Sequence, residues 1–253
     1  MFEPFNPVHV PNYRGFHYFQ YMEPGAKDKD FYKFACSVLT GEIRNRWIDH
    51  QNENIFPKYR LIKEIRANLS LKWLHDNFPE VPIIFIMRHP CAVVQSRMEL
   101  GWATDTDIES FLLQPDLVSK YLAGHLDLIR NSSSEEEKHA IIWSVSNLVP
   151  LRQFEAGKLK IVYYENLCMR PEVELPAVFE GTGLRYDPSV IIRSNRPAMT
   201  TRPTSAVVTG KNRIARWRNE LSSSQIERIL RVAKAFGLDS LYSESPFPLS
   251  NAL

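Results

Sequence analysis

The sequence predicts an α/β fold, a parallel sheet flanked by helices in three layers, built as a single domain over residues 1–253. Three observations lead there. Pro82–Met87 reads "PIIFIM", an unbroken apolar run of strand length, as expected for a strand covered on both faces. Lys158–Leu167, "KLKIVYYENL", contains a second such strand. Segments of helical period, several with capping residues, separate and follow these strands. The composition, 44% hydrophobic and 24% charged, is that of an ordinary globular chain.

The elements follow in order. "KDFYKFACSVLTGEIRNRWID", Lys29–Asp49, places apolar residues at three- and four-residue steps and predicts one long helix. "RLIKEI", Arg60–Ile65, predicts a short strand. "NLSLKWLHDNF", Asn68–Phe78, predicts a helix ending before Pro79. "CAVVQSRMEL", Cys91–Leu100, predicts a helix, with Pro90 suited to its first turn and Gly101 to its end. "NSSSEEEK" feeds a helix from about Glu135 to Phe154, with Ser134 and Glu137 spaced as a capping box. "PEVELPAVFEGTGL", Pro171–Leu184, contains a short helix. Ser222–Leu238 carries the clearest helical stripe, opened by a Ser222–Gln225 capping box and stopped by Gly237.

Several function classes drop out. A net charge of +2 gives no footprint for nucleic acid. No apolar run reaches membrane-spanning length, and "MFEPFNPVHV" lacks the basic start and apolar core of a signal peptide. The three cysteines, Cys36, Cys91 and Cys168, form no C-x-x-C pair, which points to a reducing, cytoplasmic setting. The histidines show no metal-ligand spacing, so no metal is expected.

Parallel sheets bind ligands beyond the carboxyl ends of their strands. That rule singles out Lys63–Arg66, Arg88–Ser96 and Tyr164–Asn166. Arg88 follows directly on the apolar strand. Its planar donors suit a phosphate, and the next helix starts at about Pro90, where free amides carry the positive dipole end. Ser96, a turn and a half further on, could donate to the same anion. An isolated Arg-His-Pro also fits a structural ion pair.

The string "RHPCAVVQSRMELGW", with Arg88, Pro90, Val93 and Ser96, resembles the 3′-phosphate-binding motif of sulfotransferases. These enzymes use 3′-phosphoadenosine 5′-phosphosulfate (PAPS) as sulfuryl donor. "TGKNRIARWRNELSSSQIERIL", Thr209–Leu230, is similar to the family's late basic loop, tryptophan and final helix. "IVYYENLCMRPEVELPAVFEGTGL" is similar to its strand, "YE-x-L", proline and helix block. The likeness runs from about Arg60 onward. It implies a P-loop-nucleotide-hydrolase-like fold and a PAPS or adenosine 3′,5′-bisphosphate site. Arg88, Ser96, Lys211, Arg213 and Trp217 would hold the nucleotide, with Tyr164 and Glu165 bracing the cleft. The implied partner is a small-molecule or carbohydrate acceptor, with neither nucleic acid nor membrane.

The family's earlier phosphate loop, which binds the 5′-phosphosulfate, has no counterpart in this sequence. The chain therefore reads as lacking the first strand–loop–helix unit. It is then a truncated product, a divergent homologue with a replacement, or a nucleotide-binding protein without catalysis. The gap in the sheet then predicts reduced stability, a homo-oligomer or a substituting segment. For an active chain, the resemblance to an early "EP" makes Glu3 a candidate base, and Glu64 is the other. Lys63 or Arg66 would stabilise the leaving group. The aromatic residues Phe16, Tyr18, Phe19 and Tyr21 either line an acceptor pocket or pack a core.

Overall fold

The computed structural model describes residues 1–50, 52, 59–194 and 212–249. They form a mixed α/β structure in which helices dominate. The chain divides into two compact units. One comprises Met1–Pro79 and Glu109–Ala123, the other Glu80–Ile108 and Gly124–Leu253.

The first unit is built on aromatic packing. Its helix Lys29–Thr40 starts where the Asp28 carboxylate accepts from the Asp30 and Phe31 amides. It ends at Gly41, whose φ of 78° is the left-handed conformation that glycine adopts without penalty. The predicted helix therefore stops well short of Asp49. A separate turn, Arg46–Asp49, follows under an Asn45 cap. Phe31, Phe34, Ala35 and Val38 face inward at helical spacing. Phe31 meets Trp73 edge to face at 5.0 Å, and Phe34 meets Phe5 at 5.4 Å. Phe16 packs on Tyr13 and Phe31, while Phe19 packs on Phe111. Phe19 is buried and Phe16 is partly buried against the core, the packing that one of the two readings of this segment expects. Arg60–Ile65 does not become a regular strand. It makes one parallel bridge, Lys63 with Phe2, supported by Glu3 N–H to Lys63 O at 2.8 Å and Lys63 N–H to Met1 O at 3.0 Å.

The second unit holds the sheet. Strands β1 (Ile84–Met87) and β2 (Lys160–Tyr163) pair in parallel, Ile84 opposite Lys160 and Met87 opposite Tyr163. The helices Pro90–Glu99, Glu135–Gln153 and Ser223–Ala235 pack against one another. Glu135–Gln153 is the central rod, with Ile141, Val145 and Val149 fully buried. Ser134 caps it, and Arg228 and Arg231 of the last helix pair with its Glu136 and Glu137. The Ser222–Gln225 capping box forms as the sequence predicts, with each side chain bonded to the other residue's amide.

The strand expected to be covered on both faces is not. Among the described residues the sheet has two strands, and β1 is covered on one face only. Phe85 and Met87 are buried, whereas Ile86 is 57% exposed. An apolar run is also satisfied by a strand that buries alternate residues, so continuity alone does not establish a second helical layer. This asymmetry has a measurable consequence. Phe85→Ala should cost about 3–5 kcal/mol in urea unfolding, and Ile86→Thr less than about 1 kcal/mol. Comparable losses at the two positions would show that both faces of β1 are covered.

Candidate anion-binding site

Arg88 stands at the carboxyl end of β1, and its backbone is fixed by the Trp143 indole, which donates to the Arg88 carbonyl at 3.0 Å. The guanidinium lies over the Tyr164 ring, 4.7 Å from its centroid. Tyr164 opens the helix Tyr164–Met169 directly after β2, so the parallel pairing of the strands brings the two residues together. One Arg88 Nη donates to the Arg213 carbonyl at 3.3 Å. Its Nε is buried and has no hydrogen-bond partner among the described residues, and no carboxylate there forms an ion pair with it. The charges of Arg88 and Arg213 both act to lower the Tyr164 and Cys168 pKa values, against the larger upward push of burial. A buried guanidinium N–H without an acceptor among the described residues is chemically able to donate to an anion.

The backbone after Arg88 is held by a buried network. The His89 amide donates to Glu165 Oε1 at 2.9 Å, and the Tyr242 hydroxyl donates to Glu165 Oε2 at 3.0 Å. His89 caps the Pro90–Glu99 helix: its Nδ1 accepts from the Cys91 amide at 3.2 Å. Its Nε2 lies 2.9 Å from the Ser243 carbonyl, which can only accept. These two contacts require the neutral tautomer protonated at Nε2. Burial drives the His89 pKa down to about 4, with the nearby Arg218 and Arg88 charges acting in the same direction. Burial likewise pushes the Glu165 carboxyl upward, against the opposing pull of its hydrogen bonds and of Arg88. The Cys91 amide, one of those the sequence offers to a phosphate at this helix start, is thus already used by His89. The guanidinium groups are the charged donors left here that can meet an anion.

The other predicted nucleotide-binding residues divide. Arg213 meets Arg88 through its carbonyl. Trp217 is 1% exposed and stacks on His89 at 4.5 Å and 14°, so it supports the Arg88 loop from behind and presents no open ring. Ser96 is half-buried on the Pro90–Glu99 helix, seven residues and therefore about 10 Å of axial rise beyond His89. Lys211 lies outside the described residues.

The three predicted catalytic residues belong to the first unit. Glu3 is buried at a left-handed φ of 42°, unusual for a residue with a side chain. Its carboxylate accepts from Lys63 and from Arg66. Burial alone would raise the Glu3 pKa, but the hydrogen bonds and charges of Lys63 and Arg66 outweigh it and hold the group below the usual carboxylate range. Arg66 also donates to the Tyr18 hydroxyl and lies 4.5 Å over its ring. Glu64 accepts from the Phe5, Ile65 and Arg66 amides at 2.8–2.9 Å. Burial nonetheless raises its pKa. Among the described residues, no group of three or more His, Cys, Asp or Glu side chains is placed to hold a metal ion, and no helix is long and apolar enough to cross a membrane.

The sequence reading passes over Tyr242 and Ser243, because "LYSESP" carries no motif. Comparison with known protein families, characterised proteins and solved structures finds no match for this chain.

The neutral histidine fixes the sign of a pH effect. A folded pKa near 4 against 6.5 when unfolded means that the unfolded chain takes up the proton first. The contribution of His89 to stability is complete above pH 6.5 and declines as the pH falls toward 4. His139 is depressed to about 4 as well, mainly by burial and then by the charge of Arg97. Between pH 7 and 5 each histidine should cost the fold about 2 kcal/mol in denaturant titrations. His89→Asn should flatten this dependence, and a slope equal to that of the wild type would contradict a buried neutral His89.

Proposed function

We propose that the second unit binds the 3′-phosphate of an adenosine nucleotide, and that the chain is a PAPS-dependent sulfotransferase of P-loop-like fold. The observation that carries the reading is the buried Arg88 Nε, without an acceptor among the described residues, in a guanidinium fixed by Tyr164 and the Arg213 carbonyl. A phosphate oxygen supplies the missing acceptor. The free thiols of Cys36, Cys91 and Cys168 suit a reducing, cytoplasmic setting.

Sulfuryl transfer requires the acceptor oxygen or nitrogen to attack sulfur, a base to take its proton, and adenosine 3′,5′-bisphosphate to leave. Of the two candidate bases, Glu3 is held in a double ion pair that lowers its proton affinity. Glu64 accepts three backbone amides. Those engagements favour a second reading, a nucleotide-binding homologue that does not transfer.

Two measurements separate the possibilities. Arg88→Ala should weaken binding of adenosine 3′,5′-bisphosphate by roughly 10- to 100-fold in calorimetry, the range expected for losing a charged hydrogen-bond donor. Equal affinity in the variant would refute the 3′-phosphate role. Transfer of labelled sulfate from PAPS to a panel of hydroxyl and amine acceptors then tests catalysis. If Glu3 is the base, Glu3→Gln abolishes transfer and leaves nucleotide affinity unchanged. A wild-type protein that binds the nucleotide and transfers nothing supports the binding reading.

A further inference from the structure

Three consecutive residues near the end of the described chain each hold a different part of the Arg88 surroundings. The Tyr242 hydroxyl donates to Glu165 at 3.0 Å, and the opposite oxygen of Glu165 accepts the His89 amide. The Ser243 carbonyl accepts a hydrogen bond from His89 Nε2 at 2.9 Å. The Glu244 carbonyl accepts from Arg218, the residue after Trp217. The Tyr242 ring also stands edge-on to His89, 5.0 Å between centroids. None of the three touches Arg88, Tyr164 or Arg213 through a side-chain hydrogen bond among the described residues.

Glu165 and His89 are the immediate chain neighbours of Tyr164 and Arg88, the two partners of the cation–π pair. A hydrogen bond that fixes the backbone at 89 and the first turn at 165 therefore fixes the angle at which the guanidinium lies on the ring. We infer that Tyr242 is a positioning residue for Arg88, acting through Glu165 and His89, and that it thereby sets the selectivity for a nucleotide carrying a 3′-phosphate. This inference rests on the nucleotide reading given above.

The test compares two ligands by calorimetry: adenosine 3′,5′-bisphosphate and adenosine 5′-monophosphate, which lacks the 3′-phosphate. The wild type should prefer the bisphosphate, and Arg88→Ala should abolish that preference. Tyr242→Phe removes one hydroxyl and keeps the ring. It should reduce the preference about tenfold, the scale of one hydrogen bond to a charged group, and leave the monophosphate affinity unchanged. Glu165→Leu removes the shared acceptor at similar volume and should act in the same direction, which keeps the inference testable if one variant does not fold. A variant that weakens both ligands equally marks a merely structural role and overturns the inference, as does an unchanged preference. If the preference survives Tyr242→Phe and is lost in Arg88→Ala, the nucleotide reading stands and the positioning role falls. A wild type without preference overturns both.

Discussion

A carboxylate wholly withdrawn from water loses several kcal/mol of solvation unless donors replace it. Glu165 is such a group, and the second unit is organised around it. Its two oxygens accept the His89 amide and the Tyr242 hydroxyl, which tie the end of β1, the end of β2 and the segment after the last helix to one point. Removing either donor leaves the buried carboxyl short of a partner. That penalty is larger than the modest net gain of the hydrogen bond itself, so the three segments are held in register by the cost of separating them.

From that point the placement of the cations follows. Arg88 precedes His89, and Tyr164 precedes Glu165, so fixing one pair of neighbours lays the guanidinium across the phenol ring. The ring and the Arg213 carbonyl take part of the donor capacity and leave Nε without an acceptor among the described residues. His89 stays neutral and uses its ring as a helix cap and as a wall for Trp217. A charged imidazole there would add a third positive group to Arg88 and Arg218 and would lose the Cys91 cap. Burial and electrostatics therefore favour the same protonation state. Glu3 shows the contrasting solution: its carboxylate is also buried, but it is neutralised by two cations, and its proton affinity falls.

Much of this was legible in the sequence because it depends on local chemistry. Ser222 with Gln225, Ser134, Pro90 and Gly101 mark helix ends through capping and backbone preference, and the structure has helix ends beside each of them. The run "IIFIM" followed by Arg88 shows a strand with a cation at its carboxyl end. What escaped was non-local. Gly41 divides a segment whose apolar spacing continues past it, since the left-handed turn is stronger punctuation than periodicity. Lys63 makes one bridge because its pairing partner is the short Met1–Glu3 segment. The apolar character of Ile86 gave no sign of its exposure, which depends on which faces of the sheet are covered. Tyr242 lies 77 residues from Glu165, and no local pattern encodes that contact.

In the proposed site the Arg88 Nε–H, which has no acceptor among the described residues, donates to the nucleotide phosphate. Nuclear magnetic resonance of arginine side chains labelled with ¹⁵N observes that group directly, with Arg88→Lys assigning its signal. On titration with adenosine 3′,5′-bisphosphate the Arg88 Nε–Hε resonance should move downfield and saturate at one equivalent, as expected for a new hydrogen bond to phosphate oxygen. A resonance that stays in place while the nucleotide binds would contradict the account.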